Sequence, residues 1–387
     1  MPARWKSVVA AATVATFAWW SSLSLVFDAL RADDSATADA MQTALTRRWR
    51  GDRIDIPTVE RERNPEWDFM ARTFLVLALA NDAIADTTAT DDNLEVVDRI
   101  IADTLAAERA HGQRHFLLSY ADRRDFVDAS GRSVFVDGEI ALMLAARASV
   151  APRKAELDAL RQRAELITVQ MRRGPLLSAE SYPDEAWTFC NTTALVALHA
   201  TDRLLGTDHR ELIDGWLAVA KRELIDPQSG LLVSSFTHDG RILDGPEGST
   251  LWMTAHNLLV LDPQFAREQY ALAKEHLAAG FGGFAWANEW PDQSEFADRQ
   301  ALDVDSGAVV PLLGASPGSS GMMILGAAAF DDGPTRAALL RSVHLGAFPI
   351  RRGDGLEFAA AGVIGNAVVL YALRFGPLWA RLTEERA

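Results

Sequence analysis

Residues 181–192, Ser-Tyr-Pro-Asp-Glu-Ala-Trp-Thr-Phe-Cys-Asn-Thr, are the stretch from which the fold and the chemistry can best be inferred. They place two adjacent carboxylates, Asp184 and Glu185, and the only cysteine, Cys190, at the start of an apolar run that ends at Leu205. This run predicts a helix. The N-terminus of a helix has unpaired N–H groups and a partial positive charge, which favour anions and can lower the pKa of a thiol. We therefore interpret the stretch as a helix N-terminus that carries an active site.

The rest of the chain also has the pattern of helices joined by loops. After Arg50, apolar residues recur at helical spacing in about twelve segments. The best strand signal is a short hairpin within residues 230–243, and strands do not alternate with helices, which argues against a parallel sheet. So many helices fit either a closed α/α toroid or a helical solenoid. A solenoid should show a sequence repeat of fixed period, which we do not find. We expect the closed toroid, with a loop-lined cavity at one end.

Residues 1–30 have the composition of a signal anchor or a signal peptide. The run from Val8 to Phe27 contains no charge, and Arg4 and Lys6 precede it. About twenty apolar residues suffice to span a bilayer, whereas a cleaved signal peptide usually has a shorter apolar core. We favour an uncleaved membrane-spanning helix over a cleaved signal helix. Either would export the remainder to the periplasm or the cell exterior. No Pro/Ser-rich linker divides the remainder, so we expect one catalytic domain over residues 38–382.

Composition excludes several classes of function. The net charge of −15 argues against a nucleic-acid partner, which would require a basic face. A single cysteine excludes an internal disulfide and a cysteine-based zinc site. The chain has no P-loop, no Gly-x-Gly-x-x-Gly, no His-Glu-x-x-His and no Gly-x-Ser-x-Gly motif. We expect a small-molecule substrate, no metal and no cofactor, and the sequence is compatible with a homo-oligomer.

The candidate chemical groups each have two interpretations. Cys190 is either a buried small apolar residue or a nucleophile or proton donor. Asp184 and Glu185 are either helix-capping charges or a general acid and base, and Glu139, which begins another apolar helix, has the same ambiguity. The charges nearby would raise the pKa of Cys190 and the helix terminus would lower it, so the direction stays open.

Three segments resemble one family of enzymes. Asp184 to Cys190, Asp202 to Asp208 and Leu224 to Pro227 are similar in order and spacing to segments of bacterial linalool dehydratase/isomerase, and the likeness extends over about residues 181–281. The resemblance implies an all-α fold, an exported (α/α)6 barrel (toroid). It also implies cofactor-independent interconversion of geraniol, linalool and myrcene. A catalytic cysteine of the family falls at Cys190.

Other positions depart from the family pattern. The family's site uses two cysteines nine positions apart, and Ser181 stands at the place of the first. Glu139 stands at the place of a family histidine, and Asp55 is a loose match to a family aspartate. These changes predict a site rich in carboxylates, in which crowding raises the pKa of one group and so provides an acid and a base.

We therefore expect a lyase or isomerase, most simply a hydro-lyase, that acts by acid–base chemistry on an apolar, isoprenoid-like alcohol. A glycosidase-like, glycan-processing enzyme on the same toroid and a non-catalytic envelope scaffold are the alternatives. The expected catalytic residues are Cys190, Glu139, Glu185, Asp184 and Asp55. The expected substrate-binding residues are Ser181, Trp187, Phe189, Trp252, His238 and Asp305.

Overall fold

The fold is mostly helical. The computed structural model describes residues 3–30, 34–50, 61–62, 64–291, 309–310 and 313–384. The helices of these ranges are α1 (Ala3–Leu30), α2 (Asp34–Arg47), α3 (Pro65–Ala85), α4 (Thr90–His111), α5 (Val134–Val150), α6 (Lys154–Arg173), α7 (Thr188–Leu205), α8 (Arg210–Glu223), α9 (Gly248–Leu261), α10 (Pro263–Leu277), α11 (Pro317–Ala329), α12 (Gly333–Gly346), α13 (Gly362–Arg374) and α14 (Pro377–Thr383). The expected predominance of helix is confirmed.

Six of these helices form a closed ring. Helices α3, α5, α7, α9, α11 and α13 each contact the next, and α13 contacts α3. They are apolar on nearly all sides, as helices surrounded by other helices must be. Helices α4, α6, α10 and α12 pack outside the ring, and α2 covers α13. One apolar core runs from Ala38 to Leu382.

The start of α3 illustrates how local sequence determines a helix boundary. Asn64 accepts a hydrogen bond from the Trp67 N–H at 3.1 Å, and Pro65 occupies the first helical position. An asparagine cap satisfies one of the unpaired N–H groups, and proline has no N–H to satisfy there.

Short antiparallel strands lie between the helices. They are β1 (Ala186–Trp187), β2 (Ser235–Phe236), β3 (Ile242–Asp244), β4 (Ala278–Phe281), β5 (Phe284–Ala287), β6 (Pro349–Arg352) and β7 (Gly355–Phe358). Strands β1, β2 and β3 form one sheet, and β4–β5 and β6–β7 are hairpins. The hairpin expected within residues 230–243 corresponds to β2 and β3.

The connections differ in length between the two ends of the ring. Those from an inner helix to the next outer helix are short: 86–89, 151–153, 206–209, residue 262 and 330–332. Those from an outer helix to the next inner helix are long: 112–133, 174–187, 224–247, 278–316 and 347–361. The inner helices therefore run in the same direction, and all long connections gather where they begin. We call this end the mouth. At the other end α14 closes the ring by contacting α3, α5, α7 and α9.

The N-terminal region is helical, as expected. Among the described residues, no single helix combines the length and the hydropathy needed to cross a membrane. One bent pair, residues 359–374 and 377–383, meets these criteria on length and composition alone.

Candidate active site

The mouth gathers six helix N-termini and the segment 181–192. Aligned peptide dipoles give each N-terminus a partial positive charge, and here six of them converge. Hydrogen bonds link different connections at this end. For example, the Tyr182 hydroxyl accepts a hydrogen bond from the Leu118 N–H at 2.8 Å, and the Thr188 N–H donates to the Ser234 carbonyl at 2.9 Å. Such a site favours acidic groups held close together.

Glu139 and Asp137 lie two positions apart in the first turns of α5 and face different surroundings. Two positions on a helix differ by about 200°, so the side chains point to opposite sides. Asp137 points outward and forms ion pairs with Arg132 at 2.6 Å and Arg163 at 2.5 Å. Burial alone would raise the pKa of Asp137, but these arginines lower it below its ordinary value.

Glu139, by contrast, is buried without a cation. It is only 2% exposed, and within the described part of the chain it forms no ion pair. Burial raises its pKa to about 7, against the opposing effect of the neighbouring Thr73 hydroxyl. A carboxyl group in this state is half protonated near neutral pH, which suits a general acid.

Cys190 lies close to Glu139 because α5 and α7 approach each other closely. A β-carbon at Gly138 would lie 3.2 Å from Ala194, one turn after Cys190, which is tighter than an ordinary contact, so glycine favours this close packing. Cys190 is 6% exposed. Burial raises the pKa of its thiol well above the ordinary value, the negative charges of Glu139, Glu66 and Glu185 add to the rise, and a hydrogen bond with the Ser181 hydroxyl opposes it. The thiol is therefore protonated.

Two further carboxylates are held by an aromatic pair. The Tyr182 hydroxyl donates to Glu66 Oε1, and the Tyr120 hydroxyl donates to Glu185 Oε1 at 3.2 Å. The rings of Tyr120 and Tyr182 stack with centroids 4.5 Å apart. The indole N–H of Trp187 also donates to Glu185 Oε1. These hydrogen bonds hold the Glu185 carboxylate in a fixed position at the mouth.

Asp184 lies at the outer side of this group. Its backbone is left-handed, with φ of 57°, in the tight turn between Tyr182 and Glu185. Its side chain pairs with Arg124 at 3.2 Å and accepts the His238 N–H at 3.2 Å. Asp184 thus joins two long connections rather than facing Cys190.

The other expected site residues are placed in different ways. Ser181 is fully buried beside Cys190 and accepts the Trp187 N–H at 3.2 Å. Phe189 is buried in the first turn of α7. The imidazole of His238 lies 3.9 Å from the Glu180 carboxylate, in the outer loops. Trp252 is fully buried between α9 and α11, with its indole N–H on Ser319 Oγ at 3.0 Å. Asp55 and Asp305 lie outside the described residues.

Sequence reasoning missed Glu66, Tyr120 and Glu180. Glu180 is buried and accepts N–H groups of Val127 at 2.9 Å and Asp128 at 2.7 Å, so it anchors a long connection. Glu66 follows the Asn64-Pro65 cap, and its place in the first turn of an inner helix is a signal that could have indicated it.

A pocket of the described residues lies away from Cys190. Within the described ranges, no group of three or more His, Cys, Asp or Glu side chains is arranged to hold a metal ion. A cavity of about 370 Å³ lies between residues 108–114 and 126–132, on the Asp137 side of α5. Glu139 and Cys190 do not line it.

The raised pKa of Glu139 predicts that the free energy of unfolding depends on pH. Its folded-state pKa of about 7 exceeds its ordinary value of 4.5, so its contribution is fully present below pH 4.5 and is lost as the pH rises through 7. The loss is on the order of 3 kcal/mol. The glutamine side chain of the Glu139→Gln variant cannot ionise. The free energy of unfolding of this variant, relative to that of the wild type, should therefore rise by about this much between pH 4.5 and pH 8. Urea unfolding at both pH values measures this, and a difference independent of pH would contradict the assignment.

A protein-family model matches the part of the chain that contains Cys190. Residues 158–343 match the family model described as linalool dehydratase/isomerase. The resemblance to the linalool dehydratase/isomerase family is thereby confirmed. The matched segment includes Ser181 and Cys190, whereas Glu139 and Glu66 precede it.

The fold is similar to that of several solved structures. An unsaturated glucuronyl hydrolase from Bacillus sp. GL1 has 12% identity and a TM-score of 0.55, over 87% of this chain and 95% of that chain. A possible member of GH105 family from Salmonella enterica has 15% identity and a TM-score of 0.54, over 87% and 92%. An alpha-1,6-mannanase from Salegentibacter sp. HEL1_6 has 11% identity and a TM-score of 0.52, over 88% and 98%. At these identities the likeness concerns the fold alone.

Proposed function

We propose that the chain is an exported, cofactor-independent lyase or isomerase. On an (α/α)6 barrel, it would remove or move the hydroxyl group of an apolar, isoprenoid-like alcohol. The observation that carries this proposal is the state of Glu139: a buried carboxyl that forms no ion pair with any described residue, with a pKa of about 7 and a protonated thiol beside it. The confirmed resemblance to linalool dehydratase/isomerase supports the reaction class.

Glu139 starts the reaction as the acid. It transfers its proton to the hydroxyl oxygen of an allylic alcohol, the C–O bond breaks, and water leaves. An allylic cation and the Glu139 carboxylate remain. Aromatic faces such as those of Trp187 and Phe189 stabilise a cation without attacking it.

The second proton transfer decides the product. Glu185, which Tyr120 and Trp187 hold in position by hydrogen bonds, accepts a proton from the carbon next to the cation and yields a diene. Alternatively, the water molecule adds to the other end of the allylic system and returns its extra proton to Glu139, which yields the rearranged alcohol. Both outcomes conserve atoms and charge, but only the rearrangement returns the proton directly to Glu139. After diene formation Glu185 is protonated and Glu139 is ionised, so a proton passes from Glu185 through the Cys190 thiol to Glu139 before the next cycle.

Cys190 serves as a neutral proton relay in this scheme. Its thiol is held protonated, so it is a poor nucleophile but a hydrogen-bond donor to a carboxylate or to the leaving oxygen. The Ser181 hydroxyl fixes the thiol from one side.

A glycan-processing hydrolase is the second candidate, because the mouth holds several carboxyl groups and similar folds occur in enzymes named as hydrolases and mannanases. The position of Trp252 speaks against it, since this side chain is buried between helices and cannot stack on a sugar. A non-catalytic scaffold is disfavoured because a buried unpaired carboxyl lowers stability without structural benefit.

The test is a substrate panel. The purified chain is incubated with geraniol, linalool and other allylic alcohols, and in parallel with mannose oligosaccharides and unsaturated glucuronides. Products are identified by gas chromatography with mass spectrometry and by sugar analysis. We expect dienes or rearranged alcohols, and their loss in Cys190→Ala. Sugar cleavage that requires Glu139, with every alcohol unchanged, would favour the hydrolase instead.

A further inference from the structure

The first part of α1 projects from the rest of the chain. Every residue from Trp5 to Trp19 is exposed, whereas Trp20 is half-buried. The Trp20 indole N–H donates to the Phe281 carbonyl at 3.2 Å, and its ring contacts Phe284. Helix α1 also packs along α12, an outer helix. The Phe17 ring also packs edge-on against Phe281, so roughly 18 Å of helix, before Phe17, extends beyond the β4–β5 hairpin.

That projecting segment is uncharged from Ser7 onward and has apolar residues on all sides. A helix apolar on every side is stable only where something other than water surrounds it. Contact with the hairpin begins at Phe17, and Trp19 and Trp20 follow within one turn. Tryptophan is enriched at the boundary between lipid and water. The segment has the features of a helix that enters a lipid layer at the level of Phe281.

The mouth carries further exposed apolar side chains at this same end. Outside α1, eight of the ten large apolar residues that are exposed in the described ranges lie in the long connections or at the end of α12. They include Val127, Ile242, Phe281, Leu313, Phe348 and Ile350. The short connections at the opposite end carry none of the ten. Exposed apolar groups gathered on one face indicate an interaction surface.

We propose that the mouth of the ring rests on a lipid bilayer, with the start of α1 inserted and the tips of the long connections in contact with the membrane surface. The projecting part of α1 and the apolar tips of the long connections lie at the same end of the molecule, so one lipid bilayer can contact both. The active site then opens toward the membrane. This route of entry suits an alcohol that dissolves in lipid, and that last step rests on the proposed function.

The orientation can be tested on the full-length chain with single labels. Phe348, in the connection before β6, is 64% exposed, and Leu166, on outer helix α6, is 40% exposed. Phe348→Cys and Leu166→Cys are each labelled with an environment-sensitive fluorophore, since the native Cys190 is buried. Vesicles of phosphatidylcholine and phosphatidylglycerol are then added. We expect a rise in fluorescence of roughly two-fold at position 348, with quenching by nitroxide-labelled lipid, and no change at position 166.

The affinity of the chain for vesicles provides a second measurement. Phe348→Ser/Ile350→Ser should lower the vesicle partition coefficient about ten-fold, and the matched pair Leu166→Ser/Val169→Ser should leave it within about two-fold. Equal responses at positions 348 and 166 would overturn the proposed orientation. If the fluorescence at position 348 rises without vesicles and ultracentrifugation shows self-association, the exposed apolar face of the mouth binds a second copy of the chain. That result would also overturn the proposed orientation. Both readings are independent of turnover, so they stand even if no alcohol reacts.

Discussion

Glu139→Gln is expected to lower kcat on the preferred alcohol by about two to three orders of magnitude. Glutamine keeps the shape of the side chain but has no proton to give to the leaving hydroxyl. KM should change little, because glutamine has nearly the size and shape of glutamate. Steady-state kinetics with gas-chromatographic product detection measures both quantities.

The matched control is Glu211→Gln on α8. This side chain is 95% exposed and lies on an outer helix, so the same chemical change there should leave kcat within about two-fold of the wild type. A Glu139→Gln variant that folds and keeps more than a tenth of the wild-type kcat would show that another group is the acid.

Asp137→Asn is expected to have the largest effect on stability, a loss of about 3–5 kcal/mol in the free energy of unfolding. Asp137 accepts hydrogen bonds from Arg132, Arg163, Gln113 and Gln170 in a buried cluster. Removing its charge leaves the two guanidinium groups with Glu108 as their one remaining ion-pair partner among the described residues. Denaturant unfolding at neutral pH measures the loss.

The control for this second prediction is Asp184→Asn. The ion pair of Asp184 with Arg124 is 31% and 54% exposed on its two sides, and such surface pairs contribute about 1 kcal/mol or less. The effect of Asp137→Asn should also shrink at strongly acidic pH, because protonation of Asp137 removes the same charge from the wild type. Similar losses for both variants at neutral pH would contradict the description of the Asp137 cluster.

Local sequence signals predicted local structure well. Two examples are the Asn64-Pro65 cap and the helix that begins at Thr188, within the segment 181–192. Both depend on neighbouring residues, and both are present in the structure. The apolar sequence of α5 correctly predicts a buried helix. This helix is buried on almost all sides, so its apolar residues do not mark one inner face. Periodicity therefore could not tell which of Asp137 and Glu139 faces the interior.

Contacts between distant segments were beyond sequence reasoning. Glu66 and Tyr182 are 116 positions apart, and only ring closure brings them together. Trp252 was expected at the cavity. It instead packs beside Gly326, where a β-carbon would lie 3.5 Å from its ring, so the absence of a side chain there admits the indole between two helices.

The direction of the pKa of Cys190 also required the structure. The helix terminus and the surrounding carboxylates act in opposite directions, and their balance depends on burial. Burial and three neighbouring carboxylates prevail, which makes the thiol a neutral partner of Glu139. Reactive chemistry at this site therefore depends on the carboxyl groups, as the substitutions at Ser181 and Glu139 indicated.

The most direct test is the protonation state of Glu139 itself, followed by infrared spectroscopy of the carboxylic acid C=O band. The wild type minus Glu139→Gln difference isolates this one group. We predict a protonated-acid band that disappears with a midpoint at about pH 7. A midpoint below about pH 5, as for an ordinary glutamate, would contradict its role as the acid.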